Sequence, residues 1–149
     1  MTKSPKILII DDEPEICSLL RFLLTRDGFD PHVADTSEAA LHMILTSDFE
    51  GVVCDFAMPG MDGITLLKKV RAEKNFTPFI FLSGHANFKE AHEMINLGAH
   101  ELIQKPHVKL IAPALRNLLK NSFELKCLEN SGVQGEDFLM MLHEAKKPA

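Results

Sequence analysis

The run Val52-Val53-Cys54-Asp55-Phe56-Ala57-Met58-Pro59-Gly60-Met61-Asp62-Gly63 takes a short apolar segment to a carboxylate and then into a turn. An ionised acid that gives up its water needs a cation or hydrogen-bond donors in return. Asp55, at the end of what reads as a buried strand, therefore marks a site. Two other apolar runs end in a similar way. Ile7-Leu8-Ile9-Ile10 stops on Asp11-Asp12-Glu13, and Glu101-Leu102-Ile103-Gln104 runs into Lys105-Pro106. Asp11, Asp12, Asp55 and Lys105, at the exits of three strands, are the ingredients of a metal-assisted phosphate site.

Outward from these runs, the remaining pattern alternates strand and helix. Pro14 suits a first helical turn, where its missing N–H would be unpaired anyway. Ile16, Leu19, Leu20, Leu23 and Leu24 follow the spacing of one helical face, and Gly28 is a left-handed stop. A weaker strand is expected around 29–34. Thr36 or Ser37 caps a second helix carrying Ala40, Leu41, Ile44 and Leu45. After the turn at Gly60–Gly63, with Asp62 read as a cap, Ile64, Leu67, Val70 and Arg71 suggest a third helix. Pro78 opens the strand Phe79-Ile80-Phe81-Leu82, which stops at Ser83-Gly84. Asn87 with Glu90 resembles a capping box for a fourth helix bearing Ala91, Met94 and Ile95, ended by Gly98. A fifth helix from about Val108 carries Ile111, Leu115, Leu118, Leu119 and Ser122.

Strands alternating with helices imply βαβ units and a parallel sheet covered on both faces. Continuous apolar strands agree, because parallel strands are buried on both sides. Right-handed crossovers bring every strand's carboxyl end to one edge, where such sheets bind ligands at the switch point of strand order. Asp11, Asp12, Asp55, Ser83 and Lys105 can therefore converge although they are far apart in sequence.

Composition limits the alternatives. The chain has 149 residues, 46% hydrophobic and 25% charged, with a net charge of -5. That size suits one domain with a short extension. The acidic balance argues against direct nucleic-acid binding, which needs a basic face. No apolar stretch is long enough for a membrane span. The three cysteines, Cys17, Cys54 and Cys127, are widely spaced and form no C-x-x-C pair, so a reduced cytoplasmic setting is expected. Cys54 and Met94 read as packing, and the seven histidines show no metal-ligand spacing.

Chemically, two or three carboxylates and a backbone carbonyl suit Mg2+, a hard cation held at about 2.0–2.1 Å by oxygen. The absence of Cys or His among the converging positions turns the reading away from zinc or copper. A cation keeps at least one carboxylate ionised, so Asp55 can act as a nucleophile on a phosphoryl donor and form an acyl phosphate. Lys105 supplies a second positive contact and Ser83 a hydroxyl for the same phosphoryl oxygens.

With these residues in place, the chain resembles the response-regulator receiver domain of two-component signalling, and is similar to its chemotaxis regulators, from about Lys6 to Ser122. The motifs are Asp11-Asp12, the block Asp55…Met58-Pro59…Asp62-Gly63, Ser83-Gly84-His85-Ala86 and Lys105-Pro106. The resemblance implies a flavodoxin-like, doubly wound α/β fold, with a five-stranded parallel sheet in the order 2-1-3-4-5 and five helices. It implies that Asp55 is the phospho-acceptor, served by a histidine kinase or phosphotransfer protein, and that a downstream protein reads the result. Mg2+, with Mn2+ as an alternative, would be held directly by Asp12 and Asp55, through water by Asp11, and by the main-chain carbonyl of Ala57. The protein would not be an enzyme beyond promoting its own phosphorylation and dephosphorylation.

The chain departs from the family at several positions. The family usually has Tyr or Phe three residues before the lysine as a rotating switch; here that residue is Leu102. His107 stands where Phe is common. Ala57 and His85 occupy positions that tune the lifetime of the phosphoryl group.

A receiver over residues 1–125 leaves 126–149 as a C-terminal extension. There the glycine-containing stretch 130–135 precedes Phe138-Leu139-Met140-Met141-Leu142. Five consecutive apolar residues are expected to form a short helix packed on its own domain or on a second copy. Two competing functions remain. One is the input module of a longer transcription factor or signalling enzyme. The other is an aspartyl-phosphate phosphatase, disfavoured because that chemistry wants an acid two residues after the nucleophile, where this chain has Ala57.

Overall fold

Five parallel strands form one sheet in the order β2-β1-β3-β4-β5. They are β1 (Lys6–Ile10), β2 (Asp30–Ala34), β3 (Gly51–Asp55), β4 (Phe79–Ser83) and β5 (Glu101–Gln104). The helices between and after them are α1 (Pro14–Arg26), α2 (Ser37–Thr46), α3 (Gly63–Ala72), α4 (Phe88–Asn96) and α5 (Ile111–Asn130). The doubly wound architecture and strand order are those expected from the sequence. The computed structural model describes residues 4–84 and 88–130. His85, the Asn87 cap and the apolar run Phe138–Leu142 lie outside the described residues. The chain divides into two units, Met1–Leu115 and Arg116–Ala149.

The central strands are apolar throughout because each face is covered. Leu8, Ile10, Val52, Cys54, Phe79 and Phe81 share one core with Ala40 and Ile44 of α2, Leu66, Leu67 and Val70 of α3, and Met94 of α4. Residues of the opposite parity, Ile7, Ile9, Val53 and Ile80, are equally buried, and α1 packs along β1 and β2. At roughly 2 kcal/mol for each fully buried large side chain, this two-sided core is the main source of stability.

Local signals account for the helix ends. Thr36 Oγ1 accepts the amide N–H of Ala39 (3.1 Å) and Asp62 Oδ1 that of Thr65 (2.8 Å), each supplying an N-cap. Gly28 (φ +92°) and Gly98 (φ +87°) terminate α1 and α4 in the left-handed region. Ser37, the alternative cap, is buried and donates its hydroxyl to the Met61 carbonyl at 2.7 Å.

Three helical faces differ from the periodicity. Leu19 is exposed and Cys17 is buried, so the α1 face is Cys17, Leu20, Leu23 and Leu24. Leu45 of α2 and Ile95 of α4 are also exposed. Helical spacing allowed both neighbours of each true core position, and the narrow contact of a helix with a sheet selected one. The fifth helix begins at Ile111 instead of Val108, because Lys105–Leu110 winds first as a 3-10 segment, with His107 off the helical conformation (φ −100°, ψ 39°).

Candidate functional site

Every strand runs the same way, so the ends of β1, β3, β4 and β5 share one edge. Asp11 follows β1, Asp55 and Ser83 are the last residues of β3 and β4, and Lys105 follows β5. The pairing of β3 with β4 sets Asp55 opposite Leu82, so Ser83 lies one step beyond it; Ser83 in turn pairs with Gln104, the residue before Lys105. Sheet register alone brings residues 28 and 50 positions from Asp55 to its side.

Asp55 is 2% exposed and Asp11 1%. One carboxylate oxygen from each of Asp11, Asp12, Glu13 and Asp55 lies within 4.8 Å of the others. Lys105 Nζ stands among them, 3.1 Å from Asp55 Oδ2, 2.5 Å from Glu13 Oε1 and 3.7 Å from Asp11 Oδ2. Backbone amides steady the acids: the N–H of Glu13 donates to Asp11 Oδ1 (2.9 Å), and that of Ala57 to Asp55 Oδ1 (3.3 Å).

Burial pushes Asp11 from its ordinary 3.8 up to about 6, with the nearby Asp55 charge adding to the rise and the Glu13 amide and Lys105 opposing it. Asp55 is also raised by burial, against the hydrogen bond and charge of Lys105. For Lys105, burial alone would lower the ammonium, but its bonds to Glu13 and Asp55 and the charge of Asp11 outweigh that and push it up. The lysine stays protonated, and the acids remain short of positive charge. Asp11 Oδ2 shows where: it is buried and makes no hydrogen bond among the described residues. An oxygen-only donor set with an orphaned buried carboxylate oxygen fits a hard divalent cation.

The expected residues Asp11, Asp12, Asp55, Ser83 and Lys105 are thus gathered at one edge. Ser83 is buried there, Ala57 is exposed beside Asp55, and Leu102 is partly buried against the core, paired with Phe81. Two members are additional. Glu13 pairs with Lys105, a role hidden in the sequence because an acid before a helix already has a reason to be there. Cys17 donates its thiol to the Asp11 carbonyl at 3.3 Å.

The model of the response regulator receiver domain matches residues 7–115. The chain belongs to that family. This receiver domain is 37% identical over 106 residues to the transcriptional regulatory protein FixJ of Bradyrhizobium diazoefficiens, covering 71% of this chain and 52% of FixJ. It is 35% identical over 127 residues to the chemotaxis protein CheY-3 of Vibrio cholerae, covering 83% of this chain and 95% of CheY-3. Among solved structures it superposes on the receiver domain of the Francisella response regulator 1452 with a TM-score of 0.76 at 30% identity, covering 80% of this chain and 99% of that one. The chain thus spans about half the length of FixJ, and 23% of the regulatory protein AtoC of Escherichia coli. Among the described residues no helix is long and apolar enough to cross a membrane.

Proposed function

We propose that the receiver accepts a phosphoryl group on Asp55 and passes the signal on through protein contacts. The observation that carries this is the buried Asp55 carboxylate with Lys105 Nζ at 3.1 Å and three further acids around it. An Asp55 oxygen forms the new bond to phosphorus while the bond from phosphorus to the donor breaks, and the leaving group takes up a proton. A phosphohistidine on a histidine kinase or phosphotransfer protein is the donor class. Lys105 offers its ammonium to a phosphoryl oxygen, and Ser83, at the end of the adjoining strand, offers its hydroxyl. Asp11, Asp12 and Asp55, with the Ala57 carbonyl, are the residues to hold Mg2+ or Mn2+; when bound, the cation neutralises charge on the transferring oxygens. No substrate other than the chain itself is turned over.

A new dianionic group beside Ser83 and Lys105 draws both towards it and shifts the loops that carry them. Leu102 offers no rotating aromatic ring, so the signal leaves through loop movement. A downstream protein in the cytoplasm reads the changed face. The partial coverage of FixJ and AtoC also favours a second reading, an input module of a longer regulator; the mass of the native protein separates the two.

Incubation with a small acyl-phosphate donor and Mg2+, followed by intact mass measurement, tests the proposal. One added phosphoryl group, absent in Asp55→Asn, is expected. No adduct with any donor, together with no binding of beryllium fluoride, overturns it.

A further inference from the structure

The geometry points to Glu13 as a positioning residue that gives Lys105 a partner on the water-facing side of the acid cluster, so that the ammonium can yield Asp55 and Asp11 to a cation. This inference rests on the reading of the cluster as a cation and phosphoryl site.

Glu13 stands at the N-cap position of α1, yet its side chain makes no capping bond to the helix. Instead Oε1 meets Lys105 Nζ, 92 residues away in sequence. The backbone aims it there. Pro14 fixes the first helical turn, the Glu13 amide is held by Asp11 Oδ1, and the Glu13 carbonyl accepts the amide of Cys17 at 3.1 Å. The side chain is thereby directed out over the site.

Lys105 has three anionic neighbours of unequal kind. Asp55 and Asp11 are buried, with side chains 3% and 0% exposed, whereas the Glu13 side chain is 55% exposed. A cation arriving at Asp55 and Asp11 competes with the ammonium for the same oxygens. Glu13 gives the ammonium a partner at the water-facing side, so Lys105 can withdraw from the buried pair without being left unpaired. Without Glu13, Lys105 falls back fully on Asp55 and Asp11 and opposes the cation. Were Glu13 instead a direct ligand of the cation, its effect would not depend on the lysine. The size of the coupling between the two residues therefore decides between the roles.

A double-mutant cycle reads this coupling. Mg2+ affinity is measured by isothermal titration calorimetry on the wild type, Glu13→Gln, Lys105→Gln and the double variant, with Glu13→Ala as a second substitution at this exposed position. Glu13→Gln and Glu13→Ala are expected to weaken Mg2+ binding roughly 2- to 5-fold when Lys105 is present, and less than about 1.5-fold when it is absent, as suits a half-exposed pair. An equal or larger loss in the Lys105→Gln background overturns the inference and makes Glu13 a ligand. No loss in the wild-type background also overturns it, leaving a surface ion pair. Absence of Mg2+ binding to the wild type defeats the reading of the cluster itself, and the inference with it.

Discussion

Removing the charge of Asp11 is expected to stabilise the cation-free protein, by an amount that depends on pH. Asp11 is 1% exposed, and its Oδ2 makes no hydrogen bond among the described residues. Burial raises it from 3.8 to about 6. That is roughly 2 pH units, which at about 1.36 kcal/mol per unit makes about 3 kcal/mol. The sign follows from which state holds the proton. The folded chain binds it more tightly than the unfolded chain, so the stabilising contribution is complete below pH 3.8 and is lost as pH rises through 6. Asn at position 11 keeps an oxygen for the Glu13 amide and cannot ionise. Asp11→Asn is therefore expected to match the wild type near pH 4 and to exceed it by up to about 3 kcal/mol at pH 8. Urea unfolding in EDTA at a series of pH values reads this as a midpoint shift of roughly 1–2 M at high pH. Mg2+ should narrow the gap by stabilising the wild type, by about 2.7 kcal/mol at a hundredfold excess over its dissociation constant. A variant less stable than the wild type at pH 8, or a difference that does not change with pH, refutes the reasoning.

Other parts of the molecule respond to smaller changes. A Cβ at Gly63 would stand 2.6 Å from a Phe81 ring carbon and 3.0 Å from the Asp55 carbonyl oxygen; Gly63→Ala should cost about 1–3 kcal/mol in urea unfolding, and an unchanged midpoint would count against this packing. Arg71 donates to the carbonyls of Asn75, Thr77 and Gly98 and lies 5.5 Å over the Phe79 ring. Lys has no planar fork, so Arg71→Lys should lower stability by about 1–3 kcal/mol; a melting temperature equal to the wild type's would remove Arg71 as the clamp on these loops. Cys17 and Cys54 are buried, and burial first, then the neighbouring acids, raises both thiols. Both should resist a disulfide reagent in the native protein and react in denaturant; rapid native labelling of either would show the site opening readily.

The sheet and the positions of its acids were legible because a buried parallel strand needs an uninterrupted apolar run, and a carboxylate at the end of such a run is costly without a cation beside it. Asp55, Asp11 and Lys105 could be placed together from topology alone, without knowledge of a single distance. Side-chain detail was less accessible. Leu19 and Cys17 are both apolar and two positions apart, and only the close packing of α1 shows that the smaller one faces inward. The 3-10 segment at Lys105–Leu110 follows from the geometry of leaving β5, which helical periodicity does not record. Glu13 was illegible on different grounds: its contact with Lys105 joins residues 92 positions apart, and an acid just before Pro14 is already favoured by the helix dipole.

The phospho-acceptor itself can be located by chemical trapping. After reaction with an acyl-phosphate donor and Mg2+, borohydride reduces an aspartyl phosphate to homoserine, and peptide mass spectrometry locates the converted residue. Conversion at Asp55 alone, dependent on the cation and reduced in Lys105→Gln, is the expected result. Conversion at Asp11 or Asp12 with Asp55 untouched would contradict the assignment of Asp55 as the residue that receives the phosphoryl group.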